Sequence, residues 1–134
     1  MENGEEKQTV QSYKDLRVWQ EGMAIAEDCY RLTQRFPKAE LYGMTSQIRR
    51  SASSVPANIA EGSGRENRGE LIQFLRIAQG SLKEVETHML LSVRVGLTTQ
   101  AAVEPILNQC ASEGKQLRAL IRSLQEKQRR GSRT

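Results

Sequence analysis

Apolar residues recur at alternating three- and four-residue steps through four successive segments of this chain, with short breaks only around residues 37–40, 62–66 and 96–98. Long helices joined by so few residues must return alongside one another, so the pattern specifies an antiparallel up-down-up-down four-helix bundle. The expected helices span about 15–36, 41–61, 67–95 and 99–127. Composition places the chain in the all-α class: helix formers dominate, aromatics are 4% and β-branched runs are absent. A chain of 134 residues can bury one core without disulfides or a structural metal.

Helix 1 is expected to start at Asp15, or one turn earlier from Ser12, and to stop before Pro37. It carries two apolar rows. One is Leu16, Trp19, Met23, Ala26, Tyr30 and Thr33; the other is Val18, Gly22, Ile25, Cys29, Leu32 and Phe36. Together they cover an arc of roughly 180–200°, wider than the ~100° that one core requires. Helix 1 therefore has apolar surface to share. Trp19 and Tyr30 are expected in the core, which leaves Val18, Ile25, Cys29, Leu32 and Phe36 as candidates for an interface between copies.

Helix 2 places Leu41, Met44, Ile48, Val55 and Ile59 on one side, with an expected kink at Pro56 and many small residues that admit a close neighbour. Asn67 and Glu70 have capping-box spacing for helix 3, whose inner face runs from Leu71 to Val93 before Gly96. Helix 4, from Thr98 or Thr99, shows the row Val103, Leu107, Cys110, Gly114, Leu117, Ile121 and Leu124. Pro105 either kinks its early turns or marks its first turn.

Catalytic and metal constellations are not found, and no cofactor is implied. Gly64–Gly69 has the glycine spacing of a P-loop, but Glu70 and Leu71 stand where Lys and Ser/Thr are needed. The single histidine, His88, lacks the Glu-x-x-His partner of a di-metal bundle, Glu84 being one residue too distant. Cys29 and Cys110 fall on apolar faces and read as reduced core residues. Without an apolar stretch of ~20 residues or a targeting pattern, a cytoplasmic protein without a membrane partner is expected.

The formal charge is +4, and Glu2, Glu5 and Glu6 against Lys7 leave the remainder at about +6. An acidic flexible N-terminus over 1–12 and a basic flexible tail over 128–134 thus flank a bundle over 13–127. The excess favours a polyanion, although a merely solvated basic surface is the commoner reading of such a composition. Arg49 and Arg50 on helix 2, Arg65 and Arg68 around the next helix start, and Arg129 and Arg130 in the tail are candidate phosphate-binding groups. Salt bridges to Glu61, Glu66 or Glu70 are the competing use.

Four pieces carry a resemblance: Asp15-Leu16-x-Val18-Trp19, Leu41-Tyr42-Gly43-x-Thr45-x-Gln47-Ile48-Arg49-Arg50, Pro56-x-Asn58-Ile59-Ala60-Glu61-Gly62, and Gly80-Ser81-x-x-Glu84-x-Glu86-Thr87. Over about residues 13–127 the chain resembles the 23S ribosomal-RNA intervening-sequence protein family, also called the four-helix bundle protein family. The resemblance implies an antiparallel bundle assembled as a ring-like homopentamer, with members encoded inside ribosomal-RNA gene insertions. It also implies a distant likeness to the accessory variability determinant protein of diversity-generating retroelements, a basic pentameric barrel that binds nucleic acid and a reverse transcriptase. The family has no accepted activity or assigned site, so the matching Arg49, Arg50, Asn58, Glu61 and Arg65 are candidates only.

The expectation is a non-enzymatic homo-oligomer, a pentamer, that binds RNA or DNA chiefly through phosphates. The alternative is a protein-interaction adaptor. Aromatic stacking platforms are not expected on the surface.

Overall fold

The computed structural model describes residues 12–133, so the acidic N-terminal segment lies, apart from Ser12, outside the described residues. Four helices follow one another: α1 (Arg17–Thr33), α2 (Met44–Ser63), α3 (Arg68–Arg94) and α4 (Gln100–Arg133), with 3-10 turns at Tyr13–Asp15 and Lys38–Glu40. Each packs against the next, and α1 closes against α4; among the described residues no diagonal pair packs together. The section is therefore a square, with an α1/α2 face and an α3/α4 face on opposite sides. The all-α antiparallel bundle is as the periodicity dictates.

Helix ends follow local chemistry. α1 starts at Arg17 rather than Asp15 because Ser12 caps the preceding 3-10 turn, its hydroxyl accepting from the Lys14 amide at 3.1 Å. It stops at Thr33 rather than Phe36, since Pro37 disfavours a helical residue before it; the Phe36 amide donates instead to the Thr33 carbonyl at 3.0 Å. α2 starts at Met44 rather than Leu41, where Glu40 reaches forward and its Oε1 accepts from the Met44 amide at 3.0 Å. α2 then runs unbroken through Pro56 to Ser63.

Asn67 caps α3 as its spacing with Glu70 implies, Oδ1 accepting from the Glu70 amide at 2.8 Å. α3 ends through Gly96, whose φ of +84° lets the Leu97 amide turn back to the Ser92 carbonyl at 2.9 Å. α4 starts with Thr99 accepting from the Ala102 amide at 3.2 Å, and Pro105 sits inside the helix. It continues to Arg133, past the end expected near 127, because Glu126 pairs with Arg129 and Arg130 one turn on in the orientation that supports a helix.

The core lies on the bundle axis. Ile48, Val55, Ile59, Leu75, Val85, Met89, Val103 and Leu117 have no exposed surface, each worth roughly 1.5–3 kcal/mol of burial. α2 and α3 approach closely at Gly62, where a Cβ would stand 2.7 Å from the Phe74 Cβ. The small residues of α2 thus serve helix packing.

Candidate nucleic-acid interface

Most of the cations that stand out in the sequence have internal partners. Arg49 is half-buried: its Nε donates to Thr33 Oγ1 at 2.9 Å and its guanidinium carbon lies 4.5 Å from the centre of the Tyr30 ring. Arg65 pairs with Glu61 at 2.7 Å and covers the Phe74 ring at 4.9 Å. Asn58 donates to the Ser54 carbonyl at 2.8 Å. Arg50 donates to Gln47, and Arg129 and Arg130 share Glu126. Arg68 alone of the six is exposed without a partner among the described residues. The six do not all converge: Arg49 and Arg50 lie by the α1–α2 turn, whereas Arg65 and Arg68 by the α2–α3 turn share the other end of the bundle with Arg129 and Arg130, Gln128 Nε2 lying 3.3 Å from where a Gly69 Cβ would be.

Unpaired cations gather elsewhere. Lys115, Arg118 and Arg122 stand at i, i+3 and i+7 on α4, exposed and without ion pair or hydrogen bond among the described residues. From Gly114 to Arg133 the helix holds seven cations against one acid, Glu126. Between this row and α3 opens a cleft of about 340 Å³, lined by Arg76, Gln79, Gly80, Leu82, Lys83, Glu86, Cys110, Gly114 and Arg118. Arg76 is likewise unpartnered, whereas Lys83 reaches Glu86 at 3.3 Å. Two missing side chains shape the cleft. The Arg118 Nη1 lies 3.6 Å from where a Gly114 Cβ would be, and a Cβ on Gly80 would meet nothing within 4 Å. The spacing of 115, 118 and 122 is a helical-face signal as plain as the apolar rows, but an apolar reading of α4 passes over it.

The interface expected on helix 1 is corrected. Val18, Ile25, Cys29 and Phe36 are 6%, 1%, 0% and 7% exposed, and Leu32 packs beside them, so this row is the chain's own core. The reason is Gly22, on the same row: its missing Cβ lets α2 approach, with Val55 Cγ1 only 3.2 Å from that position. The surplus surface is the other row. Trp19, Met23, Ala26 and Tyr30, with Tyr13, Pro56, Ala57 and Ala60, line an apolar groove of about 560 Å³ between α1 and α2. Aromatic rings are also less hidden than expected, Tyr30 being 44% and Tyr42 92% exposed.

Of the buried titratable groups, Cys29 and Glu113 lie inside the bundle and Cys110, 1% exposed, at the base of the α3/α4 cleft. Burial pushes both thiols, Cys29 and Cys110, up to about 12, with Asp28 adding to the first. Both are free. Glu113 on α4 has no exposed surface and no hydrogen-bond partner for either oxygen. Desolvation, then the nearby Glu21 charge, push its carboxyl up to about 8. No cluster of three or more His, Cys, Asp and Glu suited to a metal occurs among the described residues.

The description of one protein family matches residues 14–119: 23S rRNA-intervening sequence protein. Among solved structures, the bundle is similar to a protein of unknown function of the S23 ribosomal protein family from Bacteroides thetaiotaomicron, with 27% identity and a TM-score of 0.70. That alignment covers 78% of this chain and 97% of the other. No curated protein matches. With its bundle architecture and a match over well beyond half its length, this chain belongs to the 23S rRNA-intervening sequence protein family.

Proposed function

We propose that this protein is a non-enzymatic homo-oligomer, a pentamer as the resemblance implies, that holds RNA or DNA mainly by backbone phosphates. The observation that carries the reading is the row of exposed, unpaired Lys115, Arg118 and Arg122, of which Arg118 lines the cleft together with Arg76 of α3. Exposed cations without internal counter-charges gain most from a polyanion, whose condensed counterions are released on binding. Guanidinium forks suit phosphate oxygens, and the cleft has no aromatic ring on which bases could stack, so little sequence preference follows.

The α1/α2 groove supports assembly. It is apolar, it lies on the face opposite the cations, and contact there leaves the basic face open. Five copies would raise the formal charge from +4 to about +20, strong enough to recruit a polyanion. A non-enzymatic role is favoured by thiols held near 12 and by a Glu113 carboxyl with no surface for a substrate to meet.

Fluorescence-anisotropy titration of single-stranded RNA and DNA at about 50 to 200 mM salt tests the reading. Affinity falls steeply with salt. Absent binding at low salt, or binding indifferent to salt, contradicts it. The adaptor reading draws on the same groove, whose Trp19, Met23 and Tyr30 suit an apolar helix of another protein. A monomeric particle that binds no oligonucleotide would favour that reading instead.

A further inference from the structure

We infer that the cleft between α3 and α4 receives the terminal phosphate monoester of a nucleic-acid strand, an inference that rests on the binding reading above. The lining charges, Arg76, Lys83 and Arg118 against Glu86, sum to +2. A terminal monoester carries close to −2 at pH 7, whereas each internal diester carries −1. Charge therefore matches the end of a strand better than its interior.

Shape points the same way. At about 340 Å³ the cleft is at the small end of ligand pockets, near the scale of one nucleotide, and too small for a duplex. Gly80 and Gly114 line it from facing helices. The Arg118 Nη1 lies 3.6 Å from the Gly114 Cβ position, so the guanidinium folds back over that glycine. At Gly80 the space a side chain would occupy is open, although glycine in the middle of α3 costs helix stability relative to other residues. The packing does not require glycine there, and the cleft does. Leu82 and Cys110, 2% and 1% exposed, close the base of the cleft with apolar atoms, and Gln79 adds an amide for the sugar hydroxyls. Within the Gly80–Thr87 stretch, Ser81 serves packing through its hydroxyl contact with Ser54 at 2.8 Å and Leu82 and Val85 are core, which leaves Gly80 and Glu86 on the cleft side.

The test compares an oligonucleotide bearing a 5′-phosphate with its 5′-hydroxyl twin, on the full chain and on Gly80→Leu. Leucine is a better helix former than glycine, so the variant folds at least as stably, which thermal unfolding checks. In the native protein the phosphorylated strand binds about tenfold tighter, the scale of one charge-assisted contact. In Gly80→Leu that ratio falls to about one, because the leucine side chain fills the space that takes the terminal phosphate. Arg118→Gln lowers the ratio without filling the cleft. Equal affinity of the twins in the native protein, or a ratio that survives Gly80→Leu, overturns the inference. A free nucleoside 5′-monophosphate that binds as tightly as the phosphorylated strand overturns the assignment to strand ends. If neither twin binds at low salt, it is the broader nucleic-acid reading that fails.

Discussion

The Arg49 guanidinium lies 4.5 Å above the Tyr30 ring while its Nε donates to Thr33 Oγ1 at 2.9 Å, tying the last turn of α1 to α2. Thr33 is buried and its hydroxyl in turn donates to the Cys29 carbonyl at 2.8 Å, so the arginine completes a network rather than awaiting a ligand. Arg49→Met should cost about 1–3 kcal/mol in urea denaturation, the range of a cation–π contact plus a charged hydrogen bond. Oligonucleotide affinity should stay the same. A stable variant with lost binding would restore Arg49 to the interface.

Gly62 marks a tight contact between α2 and α3. An alanine there would put its Cβ 2.7 Å from the Phe74 Cβ and 3.2 Å from Leu71 Cδ1. Gly62→Ala should therefore destabilise the protein by about 1–3 kcal/mol although alanine favours helix, and denaturant midpoints against the native chain measure it.

Glu113 makes stability depend on pH. Its folded value is raised from 4.5 to about 8, so the folded state holds a proton that the unfolded state has released over that interval. Its contribution is fully present below about 4.5 and is lost as pH rises through about 8. Glu21 on α1 raises the value further, and no cation among the described residues offsets it. Glu113→Gln keeps the shape and removes the titration. The native chain should lose up to about 4 kcal/mol relative to this variant between pH 5 and pH 9, read from urea midpoints across pH.

Periodicity and caps made much of the bundle legible: Asn67 starts α3 and Gly96 ends it as their chemistry requires. The choice between the two rows of helix 1 was not legible, because both have the same spacing and similar hydropathy. A single absent Cβ at Gly22 decides it through contact with Val55, which is 33 positions away in the chain. The same limit applies to charge. Neighbouring arginines at 49 and 50 are visible in the sequence, but the acceptor for Arg49 at Thr33 comes only from the packing of α1 on α2. The row at 115, 118 and 122 was visible by spacing, and its freedom from partners needed the fold.

The apolar groove predicts where copies meet. Ala57 is exposed on its α2 wall, so Ala57→Glu should leave the bundle folded and place a charge in the contact. Light scattering with in-line mass should then show an oligomer for the native chain and a smaller particle for the variant, with circular dichroism unchanged. An unchanged mass would move the contact off this groove.

The central claim, that α4 and the cleft beside it grip phosphates, is tested most directly by the salt dependence of single-stranded RNA binding to the native chain and to Arg118→Gln/Arg122→Gln. The account predicts weaker binding and a plot of log affinity against log salt that is shallower by about 1.4, or about 0.7 for each lost phosphate contact per subunit engaged. Affinity and slope identical to the native values would contradict it.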